Sequence, residues 1–218
     1  MPLEDYKEIV GTSAMVTTIG QMFAGTIICK DIYHKGNSEG FDPMPFIGGT
    51  GMCILMLQYA LILGDQNMIN VNICGLLLNL LYVIFYYLYS PNKSNVHLKI
   101  AKAVAFLAII LGYMQIESSE NLEFRCGIII TVLMLLLLGA PLFNLGEIIK
   151  TKSTESLPFP LILMATLVTF QWLLYGIIID NVFVIFQNAV GFVLSAAQLS
   201  LFAIYPSKPV EQEKLKKK

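Results

Sequence analysis

Residues 68–89 read MINVNICGLLLNLLYVIFYYLY, twenty-two residues without a charge. A helix needs about 20 mostly apolar residues to cross a bilayer's hydrocarbon core, so this stretch is long enough to span. Yet it carries Asn72, Gly75 and Asn79, whose i, i+3, i+7 spacing puts them on one helical face. The stretch 182–205 does the same with Asn188, Gly191 and Ser195, each 116 residues after its counterpart. Two polar stripes in lipid-spanning helices, at matched places of a duplicated chain, decide both fold and function.

Composition sets the medium. The chain is 56% hydrophobic and only 13% charged, with a mean hydropathy of +0.69. Soluble domains carry about 25% charged residues, so the apolar excess must face lipid. A net charge of -1 leaves no basic field for nucleic acid. Cys29, Cys53, Cys74 and Cys126 lie in or beside apolar runs without metal-ligand spacing; they read as buried thiols, and no metal or other cofactor is called for. The acidic start, MPLEDYKEIV, lacks a signal peptide's basic region, so the first helix is expected to remain.

Seven stretches are expected to span: 10–29, 45–63, 68–89, 96–113, 127–149, 158–179 and 182–205. The fourth carries Lys99 and Lys102 in its first turns, where both can snorkel to the headgroups. Orientation follows from the short connections. Lys30 and Lys35, then Lys93, Lys99 and Lys102, then Lys150 and Lys152, and the five tail lysines fall on one side: 12 of the 14 basic residues. Lys7 and Arg125 fall on the other, among acidic neighbours. The N-terminus is therefore expected outside and the lysine-rich C-terminus in the cytosol, with the tail solvated. The sequon Asn92-Lys93-Ser94 falls on the cytosolic side and is expected to be unmodified.

The 116-residue shift also pairs Ala24 with Ala140, Glu39 with Glu155, and Tyr59 with Tyr175. One slip is needed, because Pro45-Phe46 and Pro158-Phe159 lie 113 apart. Back-to-back three-helix units would alternate in orientation; one intervening helix restores it, as the charges require. The expected architecture is an all-α integral membrane fold of seven transmembrane helices, 3+1+3, with parallel repeats. Residues 1–9 form an extracytoplasmic tail, 10–90 the first repeat, 91–126 the linker helix with its loops, 127–206 the second repeat and 207–218 the basic tail.

Asparagine in hydrocarbon is costly unless it finds partners or lines a wet cavity. Under pseudo-twofold symmetry, Asn72 and Asn188 are expected to face each other near mid-membrane. An amide offers two donors and an acceptor, so the pair suits vicinal hydroxyls of a neutral sugar. The alternative is interhelical glue. Trp172, the only tryptophan, offers a stacking face for a sugar ring; its repeat partner Met56 offers a softer wall. Tyr59 and Tyr175 are gate candidates, or packed aromatics. Pro141 is the best hinge candidate, since an intrahelical proline removes a backbone bond. Gly25 stands at its place in repeat one. Pro45 and Pro158 are hinges or simple helix starters.

The segments KTKSTESLPF (150–159), QWLLYG (171–176) and Asn188-x-x-Gly191 resemble the SWEET (MtN/saliva-type) sugar transporters, the animal branch above all. Weaker copies stand in repeat one: SEGFDPMPF (38–46), Gln58-Tyr59-Ala60 and Asn72-x-x-Gly75. The resemblance covers about 10–206. It implies a bidirectional facilitative uniporter of mono- or disaccharides working by alternating access, resident in the plasma membrane or Golgi. It implies that Asn72, Asn188 and Trp172 contact sugar and that Pro45, Pro141 and Pro158 serve helix swivelling. Gly25 departs from the proline of plant members, Ala60 from a glycine common among relatives, and Gln187 from the plant proline before the asparagine.

Rival readings are a PQ-loop amino-acid or other small-solute exporter and a seven-helix receptor. No Pro-Gln dipeptide occurs, and Asp65 and Asp180 are placed at helix ends rather than within the membrane. Receptor motifs of the Asp-Arg-Tyr or Asn-Pro-x-x-Tyr kind are absent. His34 and His97 read as solvated, and no catalytic constellation points to an enzyme. With no charge inside the proposed pore, transport is expected to be downhill and indifferent to membrane potential. The lipid-facing outer surface is compatible with a homo-oligomer.

Overall fold

A computed structural model describes residues 4–138, 146, 148–150, 152–154 and 157–205. Among these residues the regular structure is entirely helical. A short 3₁₀ turn, Glu4–Tyr6, leads into α1 (Lys7–Met22) and α2 (Gly25–Lys35), then α3 (Met44–Leu63), α4 (Gln66–Leu88), α5 (Lys93–Ile116) and α6 (Ser119–Leu137). Beyond these lie α7 (Phe159–Ile178) and α8 (Val182–Ile204). Six segments in the described residues are long and apolar enough to cross a membrane, with Glu4–Lys35 counting as one through its break.

The boundaries differ from expectation in three places. The first span continues past residue 29 to Lys35, so Lys30 and Lys35 lie on helix rather than in a loop. The fourth begins at Lys93, because the Asn92 side chain accepts from the Asn95 amide at 3.0 Å and caps it. The fifth begins at Ser119, with Glu120, Glu123 and Arg125 in a polar lead-in to the apolar run. Its course past residue 138 falls largely outside the described residues, as do Ala140, Pro141, Glu155 and the tail 207–218.

The chain forms two compact units. One comprises residues 18–130; the other joins the start of the chain, through Thr17, to the described residues from Thr131 onward. In the first, α3 packs along α4, while α5 lies on α3 and α2 on α4. In the second, α7 pairs with α8. Large apolar side chains stand exposed along the described helices. On α4, Leu77, Leu81, Ile84 and Leu88 are exposed, whereas Asn72, Gly75, Tyr82 and Tyr86 are buried. That is the arrangement lipid demands, since helix pairs there associate through small residues and polar contacts rather than hydrophobic burial.

Within each unit the same devices recur at the 116-residue shift. The α3–α4 turn has Gly64 at φ 65°, and the α7–α8 turn has Asp180 at φ 52°. The following amides, of Asp65 and Asn181, reach back to the carbonyls of Ala60 (3.1 Å) and Gly176 (3.0 Å). Those two side chains then cap the next helices, accepting from the amides of Met68 and Val184, each at 3.0 Å. Thr50 and Thr166 donate to the carbonyls four residues back, each at 2.9 Å. The repeat inferred from rare residue types is thus a repeat of hydrogen bonds.

Candidate functional site

The polar stripes occupy equivalent places in their own units. Asp65 fixes where α4 starts, and seven residues later Asn72 lies buried two turns inside it. Its Nδ2 donates to the Met68 carbonyl at 2.7 Å. In the other unit, Asn181 starts α8 and the Nδ2 of half-buried Asn188 donates to the Val184 carbonyl at 2.8 Å. One amide hydrogen is spent on holding the side chain against its own helix. The second hydrogen and the Oδ1 acceptor of each amide have no hydrogen-bond partner among the described residues. Neither Oδ1 is a sealed, unsatisfied atom; among the described residues that condition is met by Ser38 Oγ. Both amides are oriented and available.

The rest of the stripes does different work. A Cβ on Gly75 would sit 2.8 Å from Met22 Cε and 2.9 Å from Cys53 Sγ, and one on Gly191 would sit 3.0 Å from Thr169 Cγ2. Both glycines are close-crossing points, and Cys53 and Thr169 are themselves 116 apart. Asn79 donates to the Gly75 carbonyl at 2.8 Å, and its Oδ1 fills the space a Cβ on Gly49 would need. Ser195 donates to the Phe192 carbonyl at 3.2 Å. Interhelical packing therefore absorbs Asn79 and intrahelical bonding absorbs Ser195, leaving Asn72 and Asn188 open.

Trp172 is buried on α7, its ring edge-on to Tyr175 with centroids 5.5 Å apart. Tyr175 and Tyr59 are 0% and 1% exposed, so both gate candidates are packed side chains in this conformation. Met56 is half-buried on α3. Pro45 lies in the first turn of α3 and Pro158 caps the start of α7. At helix starts a missing amide costs nothing, so in this conformation both serve as helix starters. Gly25 opens α2 directly after the break that ends α1. Pro141 lies outside the described residues.

Three polar ties escaped the sequence reading. Gln187, beside Asn188, is buried and donates to the Thr131 hydroxyl on α6 at 2.7 Å. Gln171, beside Trp172, donates to Ser13 Oγ at 2.8 Å and accepts from the Thr17 hydroxyl. Each ties an element carrying a candidate residue to another helix of its unit. Glutamine inside a span was the available signal. Tyr82 is the third; its hydroxyl donates to the Met22 carbonyl at 3.2 Å.

Two ion pairs link groups at or near helix ends. Lys99 meets Asp42 at 2.9 Å. Partial burial pushes the Asp42 carboxyl up, but Lys99 and the Met44 amide together hold it below the usual carboxylate range. Glu117, at the end of α5, takes a hydrogen bond from Tyr113 and lies 3.2 Å from Arg125. Tyr113 first, then Ser118 and Arg125, hold its carboxyl low. Among the described residues no three His, Cys, Asp or Glu side chains gather to hold a metal.

A family model described as "Sugar efflux transporter for intercellular exchange" matches the chain twice, over residues 8–94 and 124–210, again 116 apart. Sugar transporter SWEET1 of Drosophila pseudoobscura pseudoobscura is 35% identical over 202 residues, covering 91% of this chain and 89% of its own. Sugar transporter SWEET1 of Caenorhabditis elegans is 29% identical over 215 residues, covering 99% and 71%. A solved structure of a eukaryotic SWEET transporter superposes with a TM-score of 0.87 over 95% of this chain and 100% of that one, at 22% identity.

Proposed function

The chain belongs to the MtN3/saliva, or SWEET, family of sugar efflux transporters, and on that premise we propose how it carries sugar. It is a multi-pass membrane protein and a sugar transporter. In our reading Asn72 and Asn188 bind the hydroxyls of a neutral mono- or disaccharide. The observation that carries this is the shared state of the two amides: each has one hydrogen tied to its own helix, and its second hydrogen and Oδ1 are uncommitted. A vicinal diol supplies the complementary acceptor and donor without any charge. Trp172 and Met56 offer apolar faces to the ring. Tyr59 and Tyr175 act as gates, and Gly25, Pro45, Pro141 and Pro158 as swivel points of alternating access.

The transport is bidirectional and downhill, since the proposed site uses neutral groups. The two matched segments constitute two functional repeats with the helix between them as a linker. The N-terminus faces outward and the C-terminus the cytosol, in the plasma membrane or Golgi, following the lysine asymmetry. The test is flux of labelled glucose, sucrose and trehalose into proteoliposomes. Asn188→Ala is expected to lower flux of the transported sugar about 10- to 100-fold, the effect of losing one or two substrate hydrogen bonds. Unchanged flux in that variant would remove Asn188 from the site.

A further inference from the structure

The helical ladder of the first span is interrupted where α1 meets α2, and the interruption has a specific chemistry. The amides of Ala24, Thr26 and Ile27 bond three residues back, to Gln21, Phe23 and Ala24, at 3.0, 2.9 and 3.1 Å. Because Thr26 takes Phe23 in place of Met22, the Met22 carbonyl is released from the helical ladder. In hydrocarbon such a carbonyl must find another donor. The Tyr82 hydroxyl of α4 supplies it at 3.2 Å.

The donor is held firmly. The Tyr82 ring is buried with Cys29, Ile32, Phe46, Tyr86 and Val96, and lies 5.2 Å from the Phe46 ring. It also occupies the space over Gly25. A Cβ built there would come 2.5 Å from Tyr82 Cε2, 2.8 Å from Cδ2 and 2.9 Å from Cζ. Glycine at 25 and tyrosine at 82 are therefore sterically matched. The 116-residue shift assigns Pro141 and Gln198 to the same two places. The sequence of repeat two thus has a proline at the place where repeat one has a glycine under a tyrosine ring.

We propose that Tyr82 is a positioning residue for transport: its hydroxyl clasps the Met22 carbonyl and so maintains the α1–α2 break as a swivel that lacks proline. This rests on the transporter reading above. Tyr82 need not touch sugar; it holds the break about which the first span moves. Its removal accordingly slows translocation and leaves sugar affinity alone.

Tyr82→Phe keeps the ring and deletes the clasp. In proteoliposomes its maximal flux is expected to fall about 3- to 10-fold, the range one hydrogen bond spans, with KM within about twofold of the native value. Amide exchange over residues 23–27 is expected to quicken at least about threefold as water reaches the bared carbonyl. Gly25→Pro alone should abolish flux through collision with the ring. Gly25→Pro with Tyr82→Gln transplants the second repeat's pair and should restore flux to within about threefold of native. The proposal is overturned if Tyr82→Phe matches the native chain in both flux and exchange, if its KM rises in step with the lost flux, or if the double variant is no better than Gly25→Pro. If the native chain carries no sugar, the transporter reading fails instead, and the exchange rates alone decide the clasp.

Discussion

Asn72 and Asn79 share a helix face and a residue type, yet the two amides are held differently. The difference lies in what crosses nearby. Asn79 packs its Oδ1 over Gly49 and has its Nδ2 on the Gly75 carbonyl and near Cys53 Sγ of α3, whereas the hydrogen bond of Asn72 stays on its own helix, to the Met68 carbonyl. Residue type at helical spacing marks a polar stripe; only packing tells glue from ligand. Trp172 gives this scale a direct readout, since it is the sole tryptophan of the chain. A transported sugar is expected to change its fluorescence saturably. Asn188→Ala should shift the midpoint at least about tenfold, the loss of one substrate hydrogen bond. A sugar that is carried yet leaves Trp172 emission unchanged would remove the indole from the site.

The two interhelical turns show the repeat at the scale of elements, and also where it is imperfect. Gly64 and Asp180 both adopt left-handed backbone, at φ 65° and 52°, but only glycine does so without steric cost. Asp180→Gly is expected to stabilise the protein by about 0.5–1 kcal/mol, and Gly64→Ala to destabilise it by about 1 kcal/mol. Thermal unfolding in one detergent measures both, and a loss of stability on Asp180→Gly would contradict the shared turn geometry. These turns were legible in sequence through their spacing, as were the long apolar spans and the matched asparagines. The partner of the Met22 carbonyl at the α1–α2 break was not, because the donor is a tyrosine sixty residues away. Nor was the tie from Gln171 to Ser13 and Thr17, which joins residues more than 150 apart. Local pattern reveals where a helix must start; it does not reveal which distant side chain takes a carbonyl released inside one.

For the whole molecule, the exposed apolar residues and the twin register support the proposed reading of a sugar carrier built from two repeats. The apolar sides of α4 and α8 face outward, and their polar stripes lie among the helices of each unit. The proposed site contains no carboxylate or ammonium, which supports the proposal of downhill transport without ion coupling. One symmetry in transport follows. Because Asn72 and Asn188 hold their amides by the same bond to their own helices, each should matter to transport by a similar factor. The most direct measurement is sugar flux into proteoliposomes with all ion gradients and membrane potential collapsed, for the native chain, Asn72→Ala and Asn188→Ala in parallel. The account predicts native uptake that stops at the external concentration, with each substitution lowering the rate at least about tenfold. Uptake above the external concentration when a proton or sodium gradient is restored, or native rates in either variant, would contradict it.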